Sequence, residues 1–529
     1  MPEIGVDRIK TGKMLMHRMP MNKLRREDIN KGSHPICSAN VGTTKTARIP
    51  NAAMNVFSLK TTLISLALLS LLFFYTGCQR KTTLRQAAAD VEFWLIDPDR
   101  SVLFEKQNTA LNFGKATGQP PTIDVDETRT FQSIDGFGYT LTGGSAMLIN
   151  RMTASGRAAL LKELFATDGK NIGVSYLRVS IGASDLDDRV FSYDDLPAGQ
   201  TDPDLTQFSL EPDRQHLIPV LKQILAINPN LKILGSPWSP PTWMKTNGNS
   251  KGGRLKPEFY DAYARYFVKY MQGMKAEGIR IDAITIQNEP LHPGNNPSLL
   301  MQPEEQAVFI KKSLGPAFKT AGIDTKIILY DHNADQPDYP ITILNDPEAR
   351  SYVDGSAFHL YGGNIEALSE VHKAYPDKSL YFTEQWIGAP GNLKGDLAWH
   401  VKNLIVGAPR NWARTVLQWN LAADPQQKPH TIGGCDRCLG ALTIDGSTVT
   451  RNPAYYIIAS ASKFVRPGSV RIASSLAPNL PNVAFKTPDG RRALIVLNEN
   501  AAAQTFLVRS QGKVMTASLP AGSVGTYVW

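Results

Sequence analysis

Cysteine is scarce, with four in 529 residues. So few exclude a disulfide-built scaffold, and the Cys435-Asp-Arg-Cys438 pair has no second cysteine pair to complete a four-ligand zinc site. His430 lies near in sequence, but in an oxidising compartment such a pair reads as a short disulfide, and no metal is expected. Charge is also thin over most of the chain. The formal net charge is +9, yet residues 1–77 hold eleven Lys and Arg against four Asp and Glu, leaving +2 for everything that follows. A body that close to neutral has no general hold on polyanions, so nucleic acid is not expected as a partner. Repeats and low-complexity segments are missing from the rest of the chain. The apolar run from Leu63 to Tyr75 is too short to span a bilayer comfortably.

That run has a different character. Met54-Asn-Val-Phe-Ser-Leu-Lys60 precedes it and Thr76-Gly77-Cys78 follows, giving the basic start, apolar middle and small-residue end of a secretory signal over 54–77. Tyr75-Thr-Gly-Cys78 resembles the lipobox of bacterial lipoproteins, which implies a lipidated Cys78 as mature N-terminus and a membrane held through that lipid. Residues 1–53 are polar, without sustained apolar periodicity, and have nothing to bury. Met54 is therefore expected as the true start. Residues 78–90 read as a tether.

Strands are expected at Val91 to about Asn108 and at Thr122–Ser133. Short β-branched runs that end in polar residues or glycine follow at Ile134–Tyr139, Val174–Ile181, Lys232–Ser236, Ile281–Gln287, Lys326–Tyr330, Gly355–His359, Leu380–Thr383 and Thr415–Trp419. Helical segments separate them; in Pro257–Glu277 the residues Tyr260, Tyr263, Ala264, Phe267 and Met271 recur at helical spacing. Eight strands with crossover helices over 134–460 predict an α/β fold, a (β/α)₈ TIM barrel. Beyond it, over 461–529, the strands Val470–Ala473, Val483–Thr487, Arg492–Leu497, Thr505–Val508 and Ser523–Trp529 run without helices, and Asp489-Gly490 marks a hairpin. These strands and those of 91–133 predict one accessory β-sandwich closed by both chain ends.

In such a barrel the reacting groups gather where strands end at the carboxyl face. Two carboxylates meet that condition, Glu289 in Ile284-Thr-Ile-Gln-Asn-Glu-Pro290 after the fourth strand and Glu384 in Tyr381-Phe-Thr-Glu-Gln-Trp386 after the seventh. Those strands face each other across the mouth, so both acids can flank one bond. Glycoside cleavage needs this pairing: one acid protonates the leaving oxygen and one carboxylate attacks or activates water. Retention predicts carboxyl groups about 5–5.5 Å apart. For Glu289 to begin protonated its pKa must be raised, and the charge of Glu384 is expected to do that.

The run Ser236-Pro-Trp-Ser-Pro-Pro-Thr-Trp-Met-Lys-Thr-Asn-Gly248, the Gln-Asn-Glu-Pro turn and Gln418-Trp-Asn420 together resemble glycoside hydrolase family 30, from about Phe131 to Trp529. Its members include glucosylceramidases and bacterial β-1,6-glucanases. The resemblance implies Glu289 as acid/base, Glu384 as nucleophile, Asn288 on the sugar 2-hydroxyl, and Arg178 supporting the carboxylates. It also implies Asp185, Trp238 and Trp419 around the cleaved sugar. His359 and Tyr361, which follow the sixth strand, are expected to reach the pocket, the histidine at the nucleophile or sugar and the tyrosine hydroxyl at Glu384. No cofactor is required. Gln385-Trp386 and the Gly433-Gly-Cys-Asp-Arg-Cys-Leu-Gly440 loop look more like the glucanase branch than the glucosylceramidases, so a β-glucan is the expected substrate.

Overall fold

In a computed structural model of the chain, residues 89–529 are described apart from 101, 116 and 117. The leader, the signal-like stretch and Cys78 lie outside the described residues. Eight parallel strands close into a barrel: β1 (Gly136–Thr140), β2 (Tyr176–Ser180), β3 (Lys232–Ser236), β4 (Ala283–Thr285), β5 (Lys326–Ala334), β6 (Val353–Gly363), β7 (Ser379–Glu384) and β8 (Ala413–Asn420), with β8 paired to β1. Each lies where β-branched and aromatic runs place it. The expected helix after β3 forms as a 3₁₀ turn, Pro257–Phe259, and an α-helix, Tyr260–Ala276, that buries Tyr260, Tyr263, Ala264, Phe267 and Met271.

The barrel interior follows the two-residue period of a strand. A lower layer is apolar: Tyr176, Leu234, Ala283, Ile328, Ala357, Tyr381 and Leu417 form one buried cluster. Two residues further along the same strands stand Arg178, Ser236, Thr285, His359, Thr383 and Trp419, all buried. The interior therefore changes from hydrocarbon to hydrogen-bonding groups within one step of the pleat. Strand β5 breaks the period. Tyr330 and Asp331 both have positive φ, 69° and 65°, and the register with β6 shifts between Tyr330 and His332. That bulge turns Asp331, in place of Tyr330, into the polar layer.

Nine strands form the second sheet, in the order Lys513–Leu519, Gln504–Ser510, Thr122–Ser133, Val470–Ser474, Asn482–Lys486, Arg492–Leu497, Val524–Val528, Glu92–Asp97 and Val102–Lys106. The first and last of the described strands, Glu92–Asp97 and Val524–Val528, pair in it, with Phe93 opposite Tyr527. Phe506 and Tyr527 are five strand positions apart, about 24 Å on a flat sheet, yet their rings are 6.1 Å apart. The sheet is thus folded on itself as a sandwich. Its inner residues include Phe93, Leu95, Leu494, Val496, Phe506, Val508 and Tyr527. The alternate residues Trp94, Ile96, Phe485, Ile495 and Val528 join the barrel's own core. Between the two lies the helix Pro453–Ser462, in which only Tyr456 is not fully buried. Sequence reasoning missed the strand Lys513–Leu519 and a small sheet of Ala422–Ala423, Leu442–Asp445 and Thr448–Arg451 beside the barrel mouth. No helix among the described residues is long and apolar enough to cross a membrane.

Candidate active site

The carboxyl end of the barrel opens into a cavity of about 300 Å³. Glu289 and Glu384 both line it, and neither is placed by regular strand alternation. Glu289 follows β4 with a φ of +44°, a left-handed conformation uncommon outside glycine, and its N–H donates to the Asp331 carbonyl at 3.0 Å. Glu384 comes one residue after the inward-facing Thr383, where the register between β7 and β6 slips between Phe382 and Glu384. One oxygen of each carboxylate and one nitrogen of His359 lie within 4.8 Å of one another.

Below them the polar layer forms one connected network. Arg178, fully buried, bonds Glu384 through Nη1, while Nη2 donates to Asp331 Oδ2 (2.8 Å) and Asn288 Oδ1 (2.7 Å) and Nε donates to Ser236 Oγ (3.0 Å). Asp331 also accepts from the hydroxyls of Thr285 (2.6 Å), Ser236 (3.2 Å) and Thr383 (2.6 Å) and lies 3.0 Å from His359 Nε2. Burial opposes its charge, but Arg178 and His359 hold the Asp331 carboxyl far below the usual carboxylate range. Asp331, Ser236, Thr285 and Thr383 were not singled out in the sequence. The available signal was an acidic residue at the carboxyl end of a barrel strand, one position past the expected end of β5.

His359, expected at the nucleophile or the sugar, is fully buried beneath both carboxylates, with Nδ1 3.9 Å from Glu384 Oε1 and closer still, 3.2 Å, to Glu289 Oε1. Burial alone would lower its pKa; the surrounding charges of Glu384, Asp331 and Glu289 outweigh that and lift it to about 9. The expected cause of protonation at Glu289 changes with it. Burial opposes ionisation there, yet the hydrogen bond and charge of His359 hold Glu289 below its ordinary value. Burial raises Glu384, with His359 and Arg178 pulling the other way. Below about pH 9 a proton therefore rests in the contact between His359 and Glu289.

The remaining expected residues converge on the cavity. Tyr361 donates its hydroxyl to Glu384 Oε1 at 2.9 Å. Asn288 gives its carbonyl oxygen to Arg178, which leaves its amide N–H groups for a bound molecule. Trp238 and Trp419 stack with ring centroids 5.3 Å apart, and Arg178 lies 4.7 Å from the Trp238 ring. Asp185 is buried and receives the Cys435 N–H at 3.2 Å. Burial, followed by the charge of Glu384, lifts its pKa to about 7.

Cys435 and Cys438 are bonded to each other and line the cavity beside Trp386. The loop carrying them is tied to the segment after the nucleophile by Leu439 N–H to Ile387 O (3.0 Å) and Ala389 N–H to Arg437 O (2.8 Å). Gly434 permits its close approach to Asp185, because a Cβ there would stand 2.5 Å from the Asp185 carbonyl oxygen. His292, Asn295, His332 and Asn333, none of them expected, complete the wall.

Glu289, His359 and Glu384 offer three donor atoms to a cation, but both His359 nitrogens already face carboxylates and Arg178 stands against Glu384. A second positive ion would meet that guanidinium at close range. A larger cleft of about 770 Å³ where barrel and sandwich meet holds Lys463 and Arg466, whose charges are taken up by backbone carbonyls. The arrangement suited to chemistry is the paired carboxylates at the mouth.

Comparison with known proteins gives the same picture. The pattern that describes the glycosyl hydrolase family 30 TIM-barrel domain matches residues 134–465, and that of the family's β-sandwich domain matches 468–527. An endo-1,6-β-D-glucanase of Aspergillus fumigatus is 37% identical over 436 residues, covering 77% of this chain and 87% of that protein. The lysosomal acid glucosylceramidase of Mus musculus is 30% identical over 447 residues, covering 78% and 84%. A solved endo-β1,6-glucanase superposes with a TM-score of 0.77 at 36% identity, over 83% of this chain and 99% of its own. With its barrel, its sandwich and two facing glutamates at the mouth, this chain belongs to glycosyl hydrolase family 30.

Proposed function

We propose that the protein hydrolyses β-1,6-glucan or related β-glucosides with retention, Glu384 acting as nucleophile and Glu289 as acid/base. The observation that carries this is that one oxygen of Glu289 and one of Glu384 lie within 4.8 Å of each other. Retaining glycosidases hold their acids about 5–5.5 Å apart, whereas inverting ones need about 6.5–9.5 Å to admit a water. In the first step Glu384 attacks the anomeric carbon, and the leaving oxygen takes a proton from Glu289, which His359 Nδ1 supplies across 3.2 Å. The resulting ester has no charge at Glu384, so the pull on protons weakens and Glu289 becomes the base. Glu289 then takes a proton from water as the water oxygen displaces Glu384 from the anomeric carbon. Trp238 and Trp419 support the flat face of the sugar, Asn288 its 2-hydroxyl and Asp185 its outer hydroxyls. Arg178 and Tyr361 hold Glu384 in place.

The glucan is favoured over a glycolipid by the polar wall of the cavity. A ceramide calls for an exposed apolar rim, whereas the polar side chains of His292, Asn295 and Asn333 line this cavity. The relatives named as endo-1,6-β-glucanases support the same choice. The disulfide suits an oxidising compartment and, with the signal-like stretch before Cys78, supports an exported enzyme anchored by lipid to a bacterial membrane. Proton NMR of the first product from β-1,6-glucan, beside an aryl β-glucoside and glucosylceramide, tests the reading. β-Glucose configuration at the new reducing end is expected on glucan, and α-configuration or cleavage of the glycolipid alone would sink it.

A further inference from the structure

One side chain on the cavity wall remains unused once the two glutamates have their partners. His332 is 7% exposed and lines the cavity, and its Nδ1 has no hydrogen-bond partner among the described residues. A buried ring nitrogen left unpaired is a net cost to the fold. Its position is costly too. Neighbouring residues of a regular strand point to opposite faces, so Asp331 and His332 could not both reach the mouth. The consecutive positive φ angles of Tyr330 and Asp331 bring both there, Asp331 beneath the cavity and His332 on its wall. Strain kept at such a point marks a functional constraint.

His332 stands on the Glu289 side. Its ring is 6.4 Å from that of His359, whose Nδ1 faces Glu289. His292, whose N–H donates to the Glu289 carbonyl at 2.9 Å, and Asn333 line the cavity as well. Under the reading above, the cleaved sugar lies against Trp238, Trp419 and Asp185, and Glu289 protonates the bridging oxygen. Whatever lies beyond that oxygen leaves past Glu289, over His332. We infer that His332 hydrogen-bonds the sugar on the leaving side, so that the enzyme selects substrates with a hydroxyl-bearing ring on both sides of the scissile bond. This rests on the proposed glucan hydrolysis and adds the residue that reads the second ring. Burial pushes the His332 pKa down to about 4, against the opposing charge of Glu289, which keeps the imidazole neutral. A neutral imidazole offers one donor and one acceptor, matched to a hydroxyl that is both; an alkyl chain offers neither.

The test compares His332→Phe and His332→Gln with the parent on β-1,6-linked glucobiose and on 4-nitrophenyl β-glucoside, whose leaving group has no sugar hydroxyl. For His332→Phe, kcat/KM on the disaccharide is expected to fall roughly 10- to 100-fold. That loss should exceed the loss on the nitrophenyl glucoside at least tenfold, with His332→Gln recovering part of it. Equal losses on both substrates, or none on the disaccharide, overturn the inference. Should neither variant fold, the unmodified protein still decides. Glucose should accept the glucosyl group from the nitrophenyl glucoside more readily than n-butanol at equal concentration, and equal transfer overturns the inference. A parent that cleaves neither substrate instead marks failure of the proposed hydrolysis itself.

Discussion

The sandwich core and the barrel mouth are equally buried and built in opposite ways. In the sandwich, Phe93, Leu95, Leu494 and Val496 alternate with residues that face the barrel and meet Phe506 across a folded sheet. Only hydrocarbon area holds them, at about 25 cal/mol per Å² removed from water. In the mouth, Arg178, Asp331, His359 and Glu384 are as dry as those side chains, yet each is kept by a charged or hydrogen-bonding partner. Desolvating such charges costs more than their attraction reliably returns. Buried area therefore accounts for the sandwich, and the mouth is explained by what it does to a substrate.

The largest expected effect breaks the comparison on the activity side. Glu384→Gln keeps the shape of the nucleophile and one of the two oxygens that accept from Arg178 and Tyr361, but removes its charge, so turnover should fall by roughly four orders of magnitude or more. Its thermal midpoint should stay within a few degrees of the parent, because Arg178 keeps Asp331 as counter-ion. Steady-state kinetics beside calorimetry checks both halves. A large loss of stability would mean that the mouth contributes to the fold as the sandwich does.

Arg178→Met strikes both sides at once. It strands Asp331 and Glu384, and breaking one partner of a buried ion network costs about 3–5 kcal/mol. Adding Asp331→Asn should recover part of that stability without recovering activity. If the single variant were as stable as the parent, the guanidinium would not be what holds those carboxylates apart from solvent.

The contrast also explains what the sequence revealed. All eight barrel strands were legible because each is a short run of β-branched or aromatic residues, and all but one of the remaining sandwich strands followed from alternation with the Asp489-Gly490 turn. Lys513–Leu519 escaped because its inward residues, Met515, Ala517 and Leu519, carry little strand preference, although Gly512 marked the turn before it. In the mouth, Glu289 and Glu384 were legible as motifs. Asp331 was not, because it owes its place to a bulge that breaks the very period used to read β5. His359 was found, but its closer contact with Glu289 was not, since nothing local separates a histidine after a strand from one inside the barrel row.

A third variant isolates the other region. Phe506 packs in the sandwich against Tyr527 and touches nothing in the mouth. Phe506→Ala should cost about 3–5 kcal/mol of stability, the usual price of deleting a buried phenyl ring. At 25 °C its kcat/KM on an aryl glucoside should stay within about twofold of the parent. Denaturant titration and kinetics on the same sample measure the two, and a parallel fall in kcat/KM would show that the sandwich holds the catalytic geometry rather than only covering the barrel.

The smallest effect sharpens the comparison through pH. Burial, then Glu384, lifts Asp185 to about 7, so the folded chain holds a proton there that the unfolded chain has released from its ordinary value near 3.8. Between about pH 4 and pH 7 the folded state thus binds more protons at this site. Its contribution to stability is fully present below that range and is lost as pH rises through 7. Asp187 and Asp213, also lifted to about 7 by burial, add to the same slope. Asp185→Asn removes one share of it. The variant should gain on the parent as pH goes from 5 to 8, by on the order of 1–3 kcal/mol at the upper end, while its KM for glucan rises because the sugar loses the Asp185 carboxyl as a partner. Among the described residues of the sandwich core the titratable side chain is Tyr527, which burial pushes further above its ordinary value and out of this range. A gain that is the same at pH 5 and pH 8 would therefore place the effect in packing and not in the proton held at the mouth.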